Sequence, residues 1–329
     1  MPHYPVGKLP HSRLDKLLGS LPLARRAGVV LGPGIGEDAA AVRIGGRTLV
    51  VATDPVTFAA ERVGWYAVQI NANDVAACGA RPQWFTACVL LPERGPQPVG
   101  DIFSDIARAC QELKVAVIGG HTEVTVGLDR PVVVGQMMAL AHGNRVIRTG
   151  GARAGHVIVL TKAAAIEATA IIARERGRQL RRRCPAGLLA RAARFLFDPG
   201  ISVVREAMIA TRAGASAMHD PTEGGVLTGL WEMAVASGKR FVVDAQAIPV
   251  YPDTRHLCEL TGLDPLRSIG SGSLLVTIAP GKADNLLRRL RRAAVAAARI
   301  GVVAAGKPGL FDPGGHRIPV SATDEIAKL

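Results

Sequence analysis

The sequence predicts an α/β or α+β protein with two domains, and three observations lead to this fold class. The chain has 329 residues, which is too long for one ordinary hydrophobic core. Strand-like and helix-like segments alternate through the first half and again through the second. A polar, glycine-rich stretch, HGNRVIRTGGARAG (142–155), separates the halves. We therefore predict one domain at 1–150 and a second at 151–329.

Hydrophobic periodicity and turn residues predict where the individual helices and strands lie. In the first half, β-branched and apolar runs predict strands at 48–53, 83–91, 115–120 and 131–141, with helices at 61–80 and 98–113. In the second half we predict strands at 156–160, 241–245, 271–278 and 299–306, and helices from about Lys162, near 186–197, 201–213 and 224–237, and at 282–297.

Composition excludes several classes of protein. Hydrophobic residues make up 48% and charged residues 20%, as in a folded globular chain. No apolar run approaches the roughly 20 residues of a membrane span, and the N-terminal residues lack the apolar core of a secretion signal, so we expect a cytoplasmic protein with no membrane contact. Five cysteines without a C-x-x-C pair indicate reduced, mostly buried thiols rather than metal ligands.

The formal net charge of +13 raises the question of nucleic-acid binding. Arginines cluster at 174–184 and 286–294, but aromatic residues are only 4% and do not interleave with either cluster as a stacking surface requires. The second cluster, LLRRLRR, has the pattern of an amphipathic helix with its leucines inward and its arginines in water. We therefore do not expect nucleic acid as a partner, although the positive field would steer anionic substrates.

The stretch GPGIGEDAAAV (32–42) has the glycine content of a loop that approaches phosphates, through Gly34 and Gly36. A P-loop ends in a lysine, whereas this loop ends in Glu37 and Asp38. Magnesium takes oxygen ligands and is shared between carboxylates and phosphates. The acids therefore suggest a bound metal that carries the phosphate charge in place of the lysine.

Further acids and polar residues lie beside turns or on an apolar helix. Asp54 follows a predicted strand in ATDPV, and Asn71, Asn73 and Asp74 lie on the predicted helix 61–80. Asp74 is placed in the half of the helix where the dipole disfavours a carboxylate, with no lysine or arginine three or four residues away. Asp38, Asp54 and Asp74 are our candidate magnesium ligands.

Two more motifs combine histidine, acid and glycine: IGGHTEVT (118–125) and HDPTEGG (219–225). Each also has a purely structural interpretation. Asp54 fits an Asx-turn before Pro55, Thr222 fits the N-cap of a helix, and His121 and His219 fit ordinary turn positions.

Taken together, these motifs resemble the superfamily of aminoimidazole ribonucleotide (AIR) synthetase and the hydrogenase-maturation protein HypE, and most closely HypE and the AIR synthase-related proteins. The matching segments are GEDAA, Thr53-Asp54, NDVAACGARP (73–82), GGHTE (119–123), FDPGISVVREA (197–207), HDPTEGG and SGSLLV (271–276).

The resemblance implies two α/β domains and a homodimer in which the N-terminal sheets of two subunits pair into a barrel. It also implies that ATP and magnesium are bound and that ATP phosphorylates an oxygen of an acceptor. By matching position, Asp38, Asp54 and Asp74 resemble the metal ligands, and Asp220 and His121 the catalytic residues. The implied nucleotide-binding residues are Gly34, Gly36, Glu37, Asn73, Gly119, Gly120 and Thr122.

Departures from the family pattern leave the acceptor open. No cysteine follows Cys258, so we do not expect the terminal-cysteine chemistry of HypE, and none precedes Cys78, where selenophosphate synthetase has its reactive residue. The sequence predicts an ATP- and magnesium-dependent enzyme with an unidentified small-molecule or protein acceptor. The alternatives are a nucleotide-binding accessory or maturation protein that acts through a partner and, on charge alone, a nucleic-acid binder.

Overall fold

The structure is a computed structural model that describes residues 9, 11–20, 28–34, 36–57, 61–320 and 323–329. These residues form two compact units. One consists of the described residues of Ala27–Gly32 and Ala39–Val146; the other consists of the described residues of Met1–Arg26, Pro33–Asp38 and Ile147–Leu329. We call them the N-unit and the C-unit. The glycine loop Pro33–Asp38 thus belongs to the C-unit, and the domain bounds 1–150 and 151–329 remain a prediction.

The N-unit is built on a six-stranded sheet in the order β1-β2-β3-β6-β4-β5. All neighbouring strands are antiparallel except β4 and β5, which are parallel. The strands are β1 (Val29–Leu31), β2 (Ala40–Ile44), β3 (Arg47–Val56), β4 (Trp84–Pro92), β5 (Ala116–Thr125) and β6 (Val132–Leu140).

Two helices, α2 (Val63–Ala77) and α3 (Val99–Leu113), accompany this sheet. Helix α2 packs on β3 and β6, and every residue of α2 except Ile70 is buried. Alternate strand residues, such as Val50, Phe85 and Met137, are fully buried. The opposite face is only half-buried although its side chains are mostly apolar. We call it the open face and define it by Leu49, Val51, Trp84, Leu90, Val134, Met138 and Leu140.

The C-unit contains a second six-stranded sheet in the order β12-β9-β11-β7-β10-β8. Its strands are β7 (Val157–Thr161), β8 (Ala217–His219), β9 (Arg240–Val243), β10 (Leu275–Ile278), β11 (Ala297–Ala304) and β12 (Gly309–Phe311). The helices are α1 (His11–Ser20), α4 (Ile166–Glu175), α5 (Gly177–Leu180), α6 (Leu188–Ala193), α7 (Val204–Ala213), α8 (Gly225–Ser237), α9 (Pro252–Thr261) and α10 (Pro280–Arg292).

The mixed α/β class with two sheets confirms the predicted fold class, and three local predictions need correction. Helix α4 begins at Ile166 rather than near Lys162, because Lys162 and Ala165 have left-handed backbone angles of +53° and +56°. Strand β3 extends through Asp54, which pairs with Gly135 of β6 instead of following the strand. Strand β5 continues to Thr125, so the predicted turn at His121 and Thr122 is part of a strand.

Across the described residues, no helix has the length and apolar character needed to cross a membrane. All five cysteines are free thiols; Cys78, Cys110 and Cys258 are buried, while Cys88 and Cys184 are half-buried. This agrees with the prediction of reduced, mostly buried thiols.

Candidate functional site

The glycine loop of the C-unit ends in a tight turn against helix α8. The Glu37 N–H donates to the carbonyl of Gly34 over 3.2 Å. Gly36 has a φ of +74°, and a Cβ added there would lie 2.9 Å from the Cβ of Glu232. Only glycine therefore lets the loop lie this close to the helix.

The close approach brings Asp38 into a buried chain of three ionisable side chains. The Nδ1 of His219 lies 2.6 Å from Oδ1 of Asp38, and its Nε2 lies 2.9 Å from Oε2 of Glu232. The side chains of Asp38, His219 and Glu232 are 8%, 3% and 4% exposed. We call Asp38, His219 and Glu232 the buried triad.

The triad fixes the charge of its histidine. Burial alone would lower the pKa of His219, but the two carboxylates outweigh it and raise the pKa well above its ordinary value. His219 is consequently an imidazolium that donates from Nε2 to Glu232 and faces Oδ1 of Asp38 with Nδ1. Its positive charge therefore lies 2.6 Å from Oδ1 of Asp38, inside the buried triad.

Asp220, the residue after β8, completes a group with metal-binding character. Ligand atoms of Asp38, His219 and Asp220 lie within 4.8 Å of one another, and Asp220 is 1% exposed. Both ring nitrogens of His219 already contact carboxylates, so this histidine serves as a charge partner rather than a ligand. The two aspartates offer the hard oxygen donors that magnesium prefers. The residues present therefore fit a magnesium ion bound by Asp38, with Asp220 beside it.

Glu37, next to the triad, is tied to the start of the second half of the chain. Its Oε2 accepts the N–H of Thr149 over 3.4 Å. Burial raises the pKa of Glu37, the Thr149 N–H lowers it in part, and the Asp38 charge raises it further. The side chain therefore anchors the glycine loop on its own unit.

The HDPTEGG motif forms a loop between β8 and α8. The predicted N-cap at Thr222 is wrong: α8 begins at Gly225 with Gly224 as its N-cap, and the Thr222 carbonyl instead accepts the N–H groups of Gly225 and Gly270. Gly225 has a φ of +66°, and an added Cβ would lie 2.6 Å from the Ser268 carbonyl oxygen. The second glycine thus permits close contact with another chain segment.

Asp54 and Asp74 belong to the N-unit, on β3 and α2. The Asp54 N–H donates to Oδ1 of Asn71 over 2.8 Å, and Nδ2 of Asn71 donates back to the Asp54 carbonyl over 3.2 Å. Asn73 and Asp74 are buried on the same helix, at 0% and 4% exposure. Asn71 therefore fixes the backbone that carries Asp54 to the helix that carries Asp74.

The GGHTE segment lies on β5, the edge strand of the N-unit sheet. Gly120 has a φ of +155°, and an added Cβ would lie 2.3 Å from the Ala87 carbonyl oxygen, so the strand pairing requires glycine there. Gly119 and Thr122 are exposed. The Nε2 of His121 lies 2.9 Å from Oε2 of Glu123, with 64% and 47% of the two side chains exposed.

Sequence reasoning missed Glu232 and did not include His219 among the site residues. Glu232 is the one acid in the apolar helix GVLTGLWEMAVAS, past its midpoint. The placement that drew attention to Asp74, an acid in the later part of an apolar helix, applies equally to Glu232. That signal was available in the sequence.

Comparison with known proteins identifies the family. The model of the AIR synthase related protein N-terminal domain matches residues 36–141, and that of the C-terminal domain matches residues 153–312. The chain belongs to the AIR synthase related family. Among its relatives, the carbamoyl dehydratase HypE of Cupriavidus necator is 31% identical over 265 residues, covering 78% of this chain and 73% of the relative.

Two solved structures of relatives share the AIR synthase related fold. HypE in a complex of HypE with HypF matches with a TM-score of 0.74 at 20% identity, over 94% of this chain and 99% of that one. HypE in complex with ATP matches with a TM-score of 0.70 at 22% identity, over 94% and 91%. The two-sheet architecture is therefore that of HypE and its PurM-like relatives.

Proposed function

We propose that this member of the AIR synthase related family binds ATP with magnesium and phosphorylates an oxygen of an acceptor, in the cytoplasm. One observation carries the proposal: a glycine loop ends at Asp38, which lies against the buried imidazolium of His219 and beside Asp220. Paired carboxylates next to backbone N–H groups suit a metal-bound phosphate. A relative, HypE, has been solved with ATP.

The residues divide into proposed roles. Asp38, Asp54 and Asp74 hold magnesium, which neutralises phosphate charge when bound. Asp220 and His121 act at the reacting groups. Gly34 and Gly36 bring backbone N–H groups to the phosphates, and nucleotide contacts come from Glu37, Asn73, Gly119, Gly120 and Thr122.

We propose further that the protein is a homodimer paired through the N-unit sheet. A sheet face that meets water normally alternates apolar with polar residues, whereas the open face is mostly apolar. Strand β5 is ten residues long, lies at the edge of the sheet and exposes Val117, Ile118 and Val124 by 53–56%. A long exposed edge strand is a template for pairing with another chain. A second copy of the sheet would cover both features.

Calorimetry of ATP binding tests the nucleotide part of the proposal. We expect ATP affinity to require magnesium and to fall at least about tenfold in Asp54→Asn and in Asp74→Asn, because each change removes a charged metal ligand. The matched control is Asp129→Asn, an acid of the same unit whose side chain is 93% exposed. Wild-type affinity in both variants would remove the metal assignment. ATP binding without turnover, across candidate acceptors, would favour the accessory-protein alternative.

A further inference from the structure

Glu232 of helix α8 meets the glycine loop directly, at the backbone of Gly36. A Cβ added at Gly36 would lie 2.9 Å from the Cβ of Glu232 and 3.6 Å from its carbonyl carbon and oxygen. The loop therefore lies against both the main chain and the side chain of this acid, where only glycine fits. Glu232 itself is 3% exposed.

The carboxylate of Glu232 reaches the same loop by a second route. Its Oε2 lies 2.9 Å from Nε2 of His219, and the other ring nitrogen of His219 lies 2.6 Å from Oδ1 of Asp38, the last residue of the loop. Glu232 thus contacts the loop at Gly36 by packing and at Asp38 through one imidazole ring.

The ring of His219 is enclosed on a further side by helix α8. A Cβ added at Gly229, three residues before Glu232, would lie 3.2 Å from Cδ2 of His219. The backbone of His219 is fixed as well, because β8 pairs with β10. A ring that packs on Gly229 and meets a carboxylate at each nitrogen has one orientation that satisfies every contact.

We propose that Glu232 is a positioning residue, which through His219 fixes the direction of the Asp38 carboxylate and holds the end of the glycine loop in place. A site whose groups are already ordered loses less entropy when a ligand binds. The use of this order for metal and phosphate rests on the proposed function, whereas the holding of the loop does not.

Two properties of Glu232, its reach and its charge, can be separated by substitution. Glu232→Gln keeps the length of the side chain and an oxygen that accepts from Nε2 of His219, but it removes the charge. Glu232→Asp keeps the charge and withdraws the oxygens from the ring by one methylene. Positioning depends on reach, so the glutamine variant should resemble the wild type more closely than the aspartate variant.

The amide of Glu37 reports the state of the loop, since its N–H donates to the Gly34 carbonyl over 3.2 Å. Hydrogen exchange of the ligand-free full chain, followed by NMR, measures its protection. We expect this amide to exchange at least about tenfold faster in Glu232→Asp and within about threefold of the wild-type rate in Glu232→Gln. The control is Met233→Ala, which removes a fully buried core side chain from the same helix and leaves the triad intact.

Three results would overturn the positioning role. They are unchanged protection of Glu37 in a folded Glu232→Asp variant, loss of protection in Glu232→Gln, and an equal loss in Met233→Ala, which would show that the loop reports only the stability of the helix. If Glu232→Asp does not fold, Glu232→Ala takes its place with the same expected loss.

Calorimetry of ATP with magnesium on the same samples separates this inference from the proposed function. We expect Glu232→Asp to bind ATP about tenfold more weakly than the wild type, and Glu232→Gln to recover most of that loss. If the wild-type protein bound no ATP while the exchange results held, the proposed function would fail and the positioning of the loop would stand. If ATP bound to the wild type but protection did not follow the reach of residue 232, the positioning role would fail alone.

Discussion

The two sheets have the same number of strands but differ in how their faces and edges are covered. In the N-unit, one face packs under α2 while the other presents apolar side chains that are half-exposed. In the C-unit, β8 and β10 are buried at every residue, and β7 at all but its first. The edge strands differ likewise: β8 and β12 have three residues each, whereas β5 has ten.

The difference indicates that the C-unit sheet is complete within one chain and the N-unit sheet is not. Short edge strands limit pairing with other chains, and the burial of β7, β8 and β10 on both faces leaves little apolar surface on those strands to cover. An apolar open face beside a long exposed edge has the opposite properties. Both sheets come from one continuous sequence, so the contrast points to assembly rather than to a generally apolar chain.

The largest effect on association is expected from placing a charge on the open face. Met138 lies in β6 near the middle of that face and is half-buried. Met138→Lys should weaken the proposed dimer at least about 100-fold, or about 2.7 kcal/mol, because a charge would be buried in an apolar interface. Sedimentation velocity across a concentration series measures the shift.

Val302 provides the matched control in the other sheet. It lies on β11 and is 47% exposed, so Val302→Lys adds the same charge to a strand of the complete sheet. We expect no change in association from this variant. If the wild-type protein were monomeric, or if both substitutions weakened the dimer equally, the two sheets would not differ in their part in association.

How much of this contrast the sequence predicts depends on the length and regularity of each element. Helix α3 was predicted to within one residue, since Ile102, Ile106 and Ala109 repeat at helical spacing and are buried. Strands β1, β8 and β12 have three residues each, too few for a recognisable pattern. They become strands because neighbouring strands supply hydrogen-bond partners, which is tertiary information.

The sequence likewise predicts some residues of the candidate site and misses others. Asp38 and Asp220 could be singled out from their motifs, but only the fold shows that His219 links Asp38 to Glu232. Outside that site, Glu167 in the first turn of α4 is 3% exposed and gave no signal at all, since an acid in the first turn of a helix is normally a favourable surface residue. Its burial follows from the packing around α4, which no local pattern encodes.

A second effect, on the stability of the C-unit rather than on association, is expected from pH. The pKa of Glu167 is about 8 in the folded protein against an ordinary value of 4.5. Between these values the folded chain keeps a proton that the unfolded chain has lost, so this group lowers the free energy of unfolding as pH rises from about 5 to 8. Each pH unit in that window corresponds to at most about 1.4 kcal/mol.

Urea denaturation at pH 5 to 9 measures this contribution. Glu167→Gln should gain stability over the wild type progressively through the window, by several kcal/mol in total, and by a constant amount above it. Glu175→Gln should follow the wild-type curve, because its side chain is exposed. If Glu167→Gln and the wild type had parallel pH profiles, Glu167 would not be a neutral buried acid.

The smallest effect is expected on the outer surface of the C-unit, where α10 carries one of the arginine clusters. Ala283, Leu286 and Leu290 are buried, whereas Arg288 and Arg292 are exposed, as the amphipathic pattern predicts. Arg288→Ser with Arg292→Ser should change the free energy of unfolding by less than about 0.5 kcal/mol, while Leu290→Ala in the same helix should cost about 2–5 kcal/mol.

Removing two exposed charges should also leave ATP affinity unchanged. Any binding to duplex DNA should weaken gradually as charge is removed and steeply as salt is added, as nonspecific attraction does. A salt-resistant DNA affinity that the double arginine variant abolishes would show instead that this surface is a binding site, and the C-unit would no longer be complete within one chain.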